Sequence, residues 1–151
     1  MADHAEASVT TPDMTRQVTR GVCRYLSSLG FSVLTEFTLK NGRRADVIGL
    51  GRDGSVVIVE VKISIADLKA DQKWPEYKDF CDQLFFATPR DFPLELLPVT
   101  CGILVADSWG ADEIRAAEVV PIHASRRRVL TLKLARKAAQ RLYDLTDPRL
   151  S

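Results

Sequence analysis

The chain has 151 residues, with 46% hydrophobic and 27% charged residues and a formal net charge of +1. These values suit one soluble domain with a full core. They exclude an overall basic protein, so any phosphate-binding surface has to be local. Cys23, Cys81 and Cys101 are far apart and odd in number, and the histidines are only His4 and His123. A disulfide framework, a zinc site and a histidine-based nuclease centre are therefore not expected, and the cysteines read as reduced, mostly buried small hydrophobes. No apolar run approaches a membrane span, and Met1-Ala2-Asp3-His4-Ala5-Glu6 lacks the basic and apolar regions of a signal peptide. The expected location is the cytoplasm.

Residues 1–10 are small and polar and read as a disordered arm. Residues 11–146 read as a single domain and 147–151 as a short tail. Thr11-Pro12 reads as a helix cap and first helical position. Met14, Val18, Val22, Tyr25, Leu26 and Leu29 recur at steps of three and four, an amphipathic helix that stops at Gly30. Val33, Thr35, Phe37 and Leu39 then alternate with Leu34, Glu36 and Thr38, a strand. Asn41-Gly42 marks a turn, a second strand runs from about Arg43 to Leu50, and Arg52-Asp53-Gly54 marks another turn. Val56-Val57-Ile58-Val59-Glu60-Val61-Lys62 reads as a third strand, buried on both faces, so the three form an antiparallel meander.

A second helix is expected within Asp67–Gln83, with Trp74-Pro75 as a local start or kink. A short strand Leu84–Ala87 follows, then a proline-rich loop over residues 88–99 with one helical turn. Cys101–Ala106 reads as another buried strand and Glu118–Pro121 as an edge strand. Asp107, Asp112 and Glu113 near Trp109 read as a polar loop without a role. A long helix spans roughly Ser125 to Leu145. The expectation is an α/β domain: a mixed sheet with helices on its faces.

The charged end of the third strand is the chemical signal. Glu60 and Lys62 lie two apart on one face of a greasy strand, where unpaired charge is costly. A three-residue Arg52-Asp53-Gly54 loop pairs Gly51 with Ser55. Asp46 then falls opposite Glu60, and Arg44 opposite Lys62, with opposed Cβ atoms about 5 Å apart. A two-residue Asp53-Gly54 turn would instead split the cluster across the sheet. Likewise, a three-residue Lys40-Asn41-Gly42 loop places Glu36 opposite Asp46, although Asn-Gly is also the favoured two-residue turn. Opposed acids repel, and either a proton or a shared divalent cation relieves them. Mg²⁺ accepts one or two carboxylates plus waters. Lys62 beside it is placed to orient a water or stabilise the transition state.

Gly42-Arg43-Arg44-Ala45-Asp46-Val47, Val59-Glu60-Val61-Lys62, Lys73-Trp74-Pro75-Glu76-Tyr77 and Phe80–Ala87 resemble the MmcB-like DNA repair proteins, within the PD-(D/E)XK nuclease superfamily. The resemblance extends over about residues 14–140. It implies a restriction-endonuclease-like αβββαβ core, an antiparallel meander followed by a parallel strand. It also implies a DNA endonuclease acting in repair with Mg²⁺ or Mn²⁺. Asp46 and Glu60 would be ligands with the Val61 carbonyl, and Lys62 the catalytic lysine. Glu36 would be the additional upstream acid that many members carry. The superfamily's proline before the acid is Ala45 here. Lys73 and Tyr77, one helical turn apart, resemble the polar-and-tyrosine pair on the second helix of RecB-like nucleases, with Lys in place of Gln.

The plain alternative for Asp46, Glu60 and Lys62 is a cross-strand charge cluster on a solvated face, which the flanking apolar run opposes. Trp74 reads as a core aromatic. The last helix carries Arg126, Arg127, Arg128, Lys133, Arg136, Lys137 and Arg141 with no acid before Asp144. That is ordinarily a solvated face, or else a basic side that meets phosphates. DNA would be held by its backbone or shape rather than its base sequence, with Arg44, Lys73 and Tyr77 as candidate contacts. The competing function is a nuclease-fold module that holds DNA or a repair partner without cutting. A weaker option is an interaction domain with no nucleic-acid role.

Overall fold

The computed structural model describes residues 9–149. The arm expected over residues 1–10 therefore lies outside the described residues as far as residue 8, and so do residues 150–151 of the expected tail. Thr10 already belongs to the domain. It is the N-cap of α1 (Thr11–Ser28), one residue before the expected cap, and its hydroxyl accepts the Asp13 N–H at 3.3 Å. Met14, Val18, Val22 and Leu26 recur every four residues, and the last three are buried. The chain reverses after Leu29, where the N–H groups of Gly30 and Phe31 donate back to the carbonyls of Ser27 and Leu26.

The sheet has six strands in sequence order: β1 (Ser32–Thr38), β2 (Arg44–Leu50), β3 (Val56–Val61), β4 (Gln83–Thr88), β5 (Gly102–Ala106) and β6 (Ala111–Arg115). β1, β2 and β3 pair antiparallel, β3, β4 and β5 parallel, and β5 and β6 antiparallel. This is the mixed α/β architecture expected of a restriction-endonuclease-like domain. Both expected hairpin registers hold: Thr38 pairs with Arg44, and Leu50 with Val56. The Gly51 N–H donates to the Ser55 carbonyl at 2.8 Å, closing the three-residue loop. Gly54 sits there at φ +85, a backbone that a side chain would strain.

Alternation along the strands sends two hydrophobic layers to opposite faces. Val47, Val57, Val59, Phe85 and Leu104 meet Val18, Val22 and Leu26 of α1. Ile48, Ile58 and Phe86 face the other way, toward Phe80, Leu130 and Leu134. Every residue of β3 is buried. Each fully buried Val, Leu, Ile or Phe contributes about 1.5–3 kcal/mol, so these layers supply most of the cohesion. Glu60 and Lys62 share the parity of Ile58. They therefore emerge on the second face, at the carboxyl end of β3.

Two expectations need correction. The helix expected within Asp67–Gln83 is two pieces, α2 (Ile65–Ala70) and a 3-10 helix (Trp74–Phe80). Pro75 cannot donate to a continuing helix, and Lys73 keeps a non-helical backbone. Arg43 pairs with Glu76 at 2.6 Å and Asn41 donates to the Glu76 carbonyl, which ties this segment to the β1–β2 hairpin. The edge strand is Ala111–Arg115 rather than Glu118–Pro121, so Asp112 and Glu113 lie on a strand and not in a loop. Backbone pairing to β5 makes this edge. Residues 118–121 contribute only the Val120 N–H to the Asp82 carbonyl. As expected of a solvated face, α3 (Ala124–Thr146) buries only Leu130 and Leu134 and leaves its Lys and Arg residues exposed apart from the half-buried Arg127 and Arg141. Arg126 donates to the Asp79 carbonyl, and Arg141 to the carbonyls of Thr35 and Glu36.

Arg127 does more. It meets both Asp82 oxygens at 2.6 Å and donates to the Gly54 carbonyl at 2.9 Å. Asp82 also accepts the N–H groups of Val56 and Ile122. Burial alone would raise its pKa, but these bonds, led by Arg127, hold the carboxyl below its usual value. One residue thereby fastens the start of β3, the β2–β3 turn, the approach to α3 and α3 itself. Asp82→Ala strands two backbone donors and a guanidinium, and should cost about 3 kcal/mol in urea unfolding. A loss under about 1 kcal/mol would contradict this role. Among the described residues, no helix is long and apolar enough to cross a membrane.

Candidate active site

The β2–β3 ladder runs from Leu50–Val56 to Val47–Val59 and stops there. Around the next pair, Asp46 and Glu60, backbone-to-carboxylate bonds take over instead. The Val61 N–H donates to Asp46 Oδ2 at 2.8 Å, and the Asp46 N–H donates to Glu60 Oε1 at 3.2 Å. Each carboxylate thus takes the place of a missing strand partner. Glu60 is only 3% exposed and Asp46 is half-buried. Burial, then the Asp46 charge beside it, pushes the Glu60 pKa up to about 9. Burial also raises Asp46, against the lowering effects of the Val61 N–H, Glu60 and Lys62. The pair is costly as two anions, and a proton or a cation relieves it.

Lys62, 6% exposed, follows on the same face. Its Nζ lies 2.8 Å from Asp71 Oδ2 at the end of α2. The acids and Lys62 open into a cleft of about 650 Å³ whose rim includes Arg44, Asp67, Asp71 and Tyr77. Thr11 and Thr15 of α1 reach the same cleft. Tyr77 is buried and donates its hydroxyl to the Arg44 carbonyl at 3.0 Å. Burial, then the Glu60 and Asp46 charges, hold that phenol above its ordinary pKa. Its proton therefore stays in a structural bond.

Asp46, Glu60, Val61, Lys62, Arg44 and Tyr77 are thus brought together as the sequence suggested. Glu36 and Lys73 are not. Glu36 has the register position expected of it, but its φ is +50 and its pair with Asp46 is missing from the ladder. It is exposed and does not line the cleft. Lys73 precedes a 3-10 helix, in which residues four apart no longer stack, so it does not follow Tyr77 into the cleft. The residues that sequence reasoning missed are Asp67 and Asp71. Ser64-Ile65-Ala66-Asp67 carries a helix-start signature that would have placed them. The Asp67 N–H donates to Ser64 Oγ at 3.1 Å, and the short helix begins at the cleft's edge.

Among the described residues, no three His, Cys, Asp or Glu side chains gather closely enough to hold a metal by themselves. The site offers two carboxylates, each with one oxygen engaged by a backbone N–H. That donor set suits a hard cation that keeps several waters, such as Mg²⁺ or Mn²⁺, and does not suit zinc.

A model of the DNA repair protein MmcB-like family matches residues 2–149. The chain is also similar to a solved structure, the SPO1766 protein of unknown function from Silicibacter pomeroyi. The two are 42% identical, with a TM-score of 0.86 over 89% of this chain and 92% of that one. No curated protein matches the chain.

The acidic pair predicts a pH dependence. An unfolded glutamate titrates at about 4.3. Between that value and the folded value of about 9, the folded chain holds a proton that the unfolded chain has lost. In chelator, stability should therefore fall as pH rises through this window. Glu60→Gln keeps the shape without the charge, and urea unfolding across the window should show a flatter slope. A slope equal to that of the unsubstituted chain would contradict the buried pair.

Proposed function

The chain belongs to the MmcB-like DNA repair protein family, and on that premise we propose that it is a metal-dependent DNA endonuclease of the PD-(D/E)XK type. The strongest support is the acidic pair at the ladder break, with Lys62 two residues beyond Glu60. Ordinary ladder bonds would serve a purely structural sheet without the repulsion of two acids, whereas a site for a cation and a phosphate makes use of it.

Asp46 and Glu60, with the Val61 carbonyl, would hold Mg²⁺ or Mn²⁺. Such a cation makes water a better nucleophile and stabilises charge on phosphate oxygens. In the reaction, a water oxygen forms a bond to phosphorus as the bond to the leaving sugar oxygen breaks. Lys62 stands beside the acids to orient that water or to stabilise the charge that develops on phosphate. Asp71 holds Lys62 toward the cleft rim. Arg44 is exposed on the same rim, with its backbone fixed by Tyr77, and suits a phosphate of the DNA backbone.

A second reading is a module that holds DNA or a repair partner without cutting. The Lys62–Asp71 ion pair favours it, because that pair occupies the charge a phosphate would use. Cleavage of branched, single-stranded and damaged DNA in Mg²⁺ or Mn²⁺ separates the two. The nuclease reading predicts cleavage that falls about 100-fold or more in Asp46→Asn and in Lys62→Ala. Absence of cleavage across the panel, or cleavage indifferent to both substitutions, would leave the binding module.

A further inference from the structure

Trp109 sits at the tip of the tight turn between β5 and β6 and is 71% exposed. An aromatic side chain so open to water, held on a fixed support, offers a flat face for stacking. The support is rigid. Asp107 Oδ1 accepts the N–H groups of Trp109 and Gly110, at 2.8 and 3.1 Å, and the Asp107 N–H donates to the Gly110 carbonyl. Gly21 of α1 packs directly under this turn. A Cβ there would lie 1.8 Å from the Asp107 carbonyl oxygen and 2.5 Å from that of Gly110. The close approach thus requires glycine and presses the turn onto α1. The turn presents an indole outward instead of tucking it in.

The surroundings are those of a stacking platform. The guanidinium carbons of Arg20 and Arg24 lie 5.4 and 5.5 Å from the indole centroid. A pocket of about 310 Å³ beside the ring is lined by Arg90, Val105, Asp107 and Asp112, among others. Nearby acids are partly occupied: Asp107 caps the turn, and Glu113 accepts the Tyr25 hydroxyl at 3.2 Å. The place in the fold matters too. β3, β4 and β5 run parallel, so the turn after β5 lies off the same end of the sheet as Glu60 and Lys62. Open α/β sheets bind ligands at that end. Arg16, Arg20 and Arg24 recur every four residues on α1. From Arg16, which pairs with Asp13 beside Thr15 on the cleft rim, to Arg24 under Trp109 the helix rises about 12 Å at about 1.5 Å per residue. That is the reach of a few nucleotides.

We propose that Trp109, with Arg20, Arg24 and Arg90, is a docking site for single-stranded DNA, where an unpaired base stacks on the indole and its phosphates meet the guanidinium groups. A duplex hides its base faces, so the platform selects unpaired nucleotides beside the cleft. The proposal rests on the DNA reading above and adds the class of substrate.

The test is binding of a fluorescent oligothymidylate of about ten nucleotides, at about 50 mM salt in chelator, by anisotropy. Trp109→Ala should weaken binding by about 5- to 150-fold, the range of one base–aromatic stack, and Trp109→Phe should restore most of it. Binding to a blunt duplex of equal length should change by less than about twofold. In Trp74→Phe, which leaves Trp109 as the sole indole, the oligonucleotide should quench tryptophan emission. Unchanged single-strand affinity in Trp109→Ala, or equal losses on single strand and duplex, would overturn the proposal. Failure of the unsubstituted chain to bind single strands would also overturn it, and would leave the exposed tip to a protein partner. Cleavage is scored separately. A chain that cuts DNA but binds single strands without Trp109 loses this proposal and keeps the nuclease reading. A chain that binds through Trp109 and cuts nothing does the reverse.

Discussion

The site depends on a hydrogen-bond ladder that stops one pair early. β2 and β3 pair regularly up to Val47–Val59, and two carboxylates then take over the bonding. A backbone N–H bond to a carboxylate is stronger than an ordinary ladder bond, so the substitution is affordable locally. The consequence is electrostatic. It holds the largely buried Glu60 against Asp46, and their charges cannot both persist uncompensated. The pair is a stored preference for a positive charge, built into the backbone.

The rest of the fold fixes where that preference is expressed. The buried β3 strand carries Glu60 and Lys62 out of the core on one face. The three-residue turn at Arg52-Asp53-Gly54 sets the register that brings Asp46 to meet them. Asp82 and Arg127 lock that turn to α3, far along the strand from the acids. Around the cleft, Tyr77 and the Arg43–Glu76 pair hold the 3-10 helix against the hairpin. Asp71 reaches in from the end of α2 to take Lys62. The strands position the acids, and the short irregular segment after β3 positions the lysine.

Much of this was legible in the residues. Arg52-Asp53-Gly54 left two turns open, and the one that brings Asp46 opposite Glu60, a three-residue loop with Gly54 left-handed, is the one that forms. The valine-rich run of β3 declared a strand buried on both faces. The break in the ladder was not legible, because it arises from side chains competing with backbone for the same N–H groups. Glu36 had the right register and still turned away, because its backbone is left-handed. Lys73 and Tyr77 were separated by a change of helical period that Pro75 hinted at without specifying. β6 was hidden for a different reason. Its Ala-Asp-Glu-Ile-Arg sequence shows no apolar alternation, since pairing to β5 and not burial makes it a strand. Val119 and Val120 looked like better strand material and are exposed.

We propose above that Asp46 and Glu60 hold a divalent cation. That proposal is tested most directly by soaking a crystal of the chain with Mn²⁺ and locating the metal by its anomalous scattering. The account predicts a peak about 2.0–2.3 Å from an oxygen of each carboxylate, with the remaining positions filled by the Val61 carbonyl and waters. Carboxylates that stay hydrogen-bonded with no peak between them, or a metal bound only elsewhere, would contradict it.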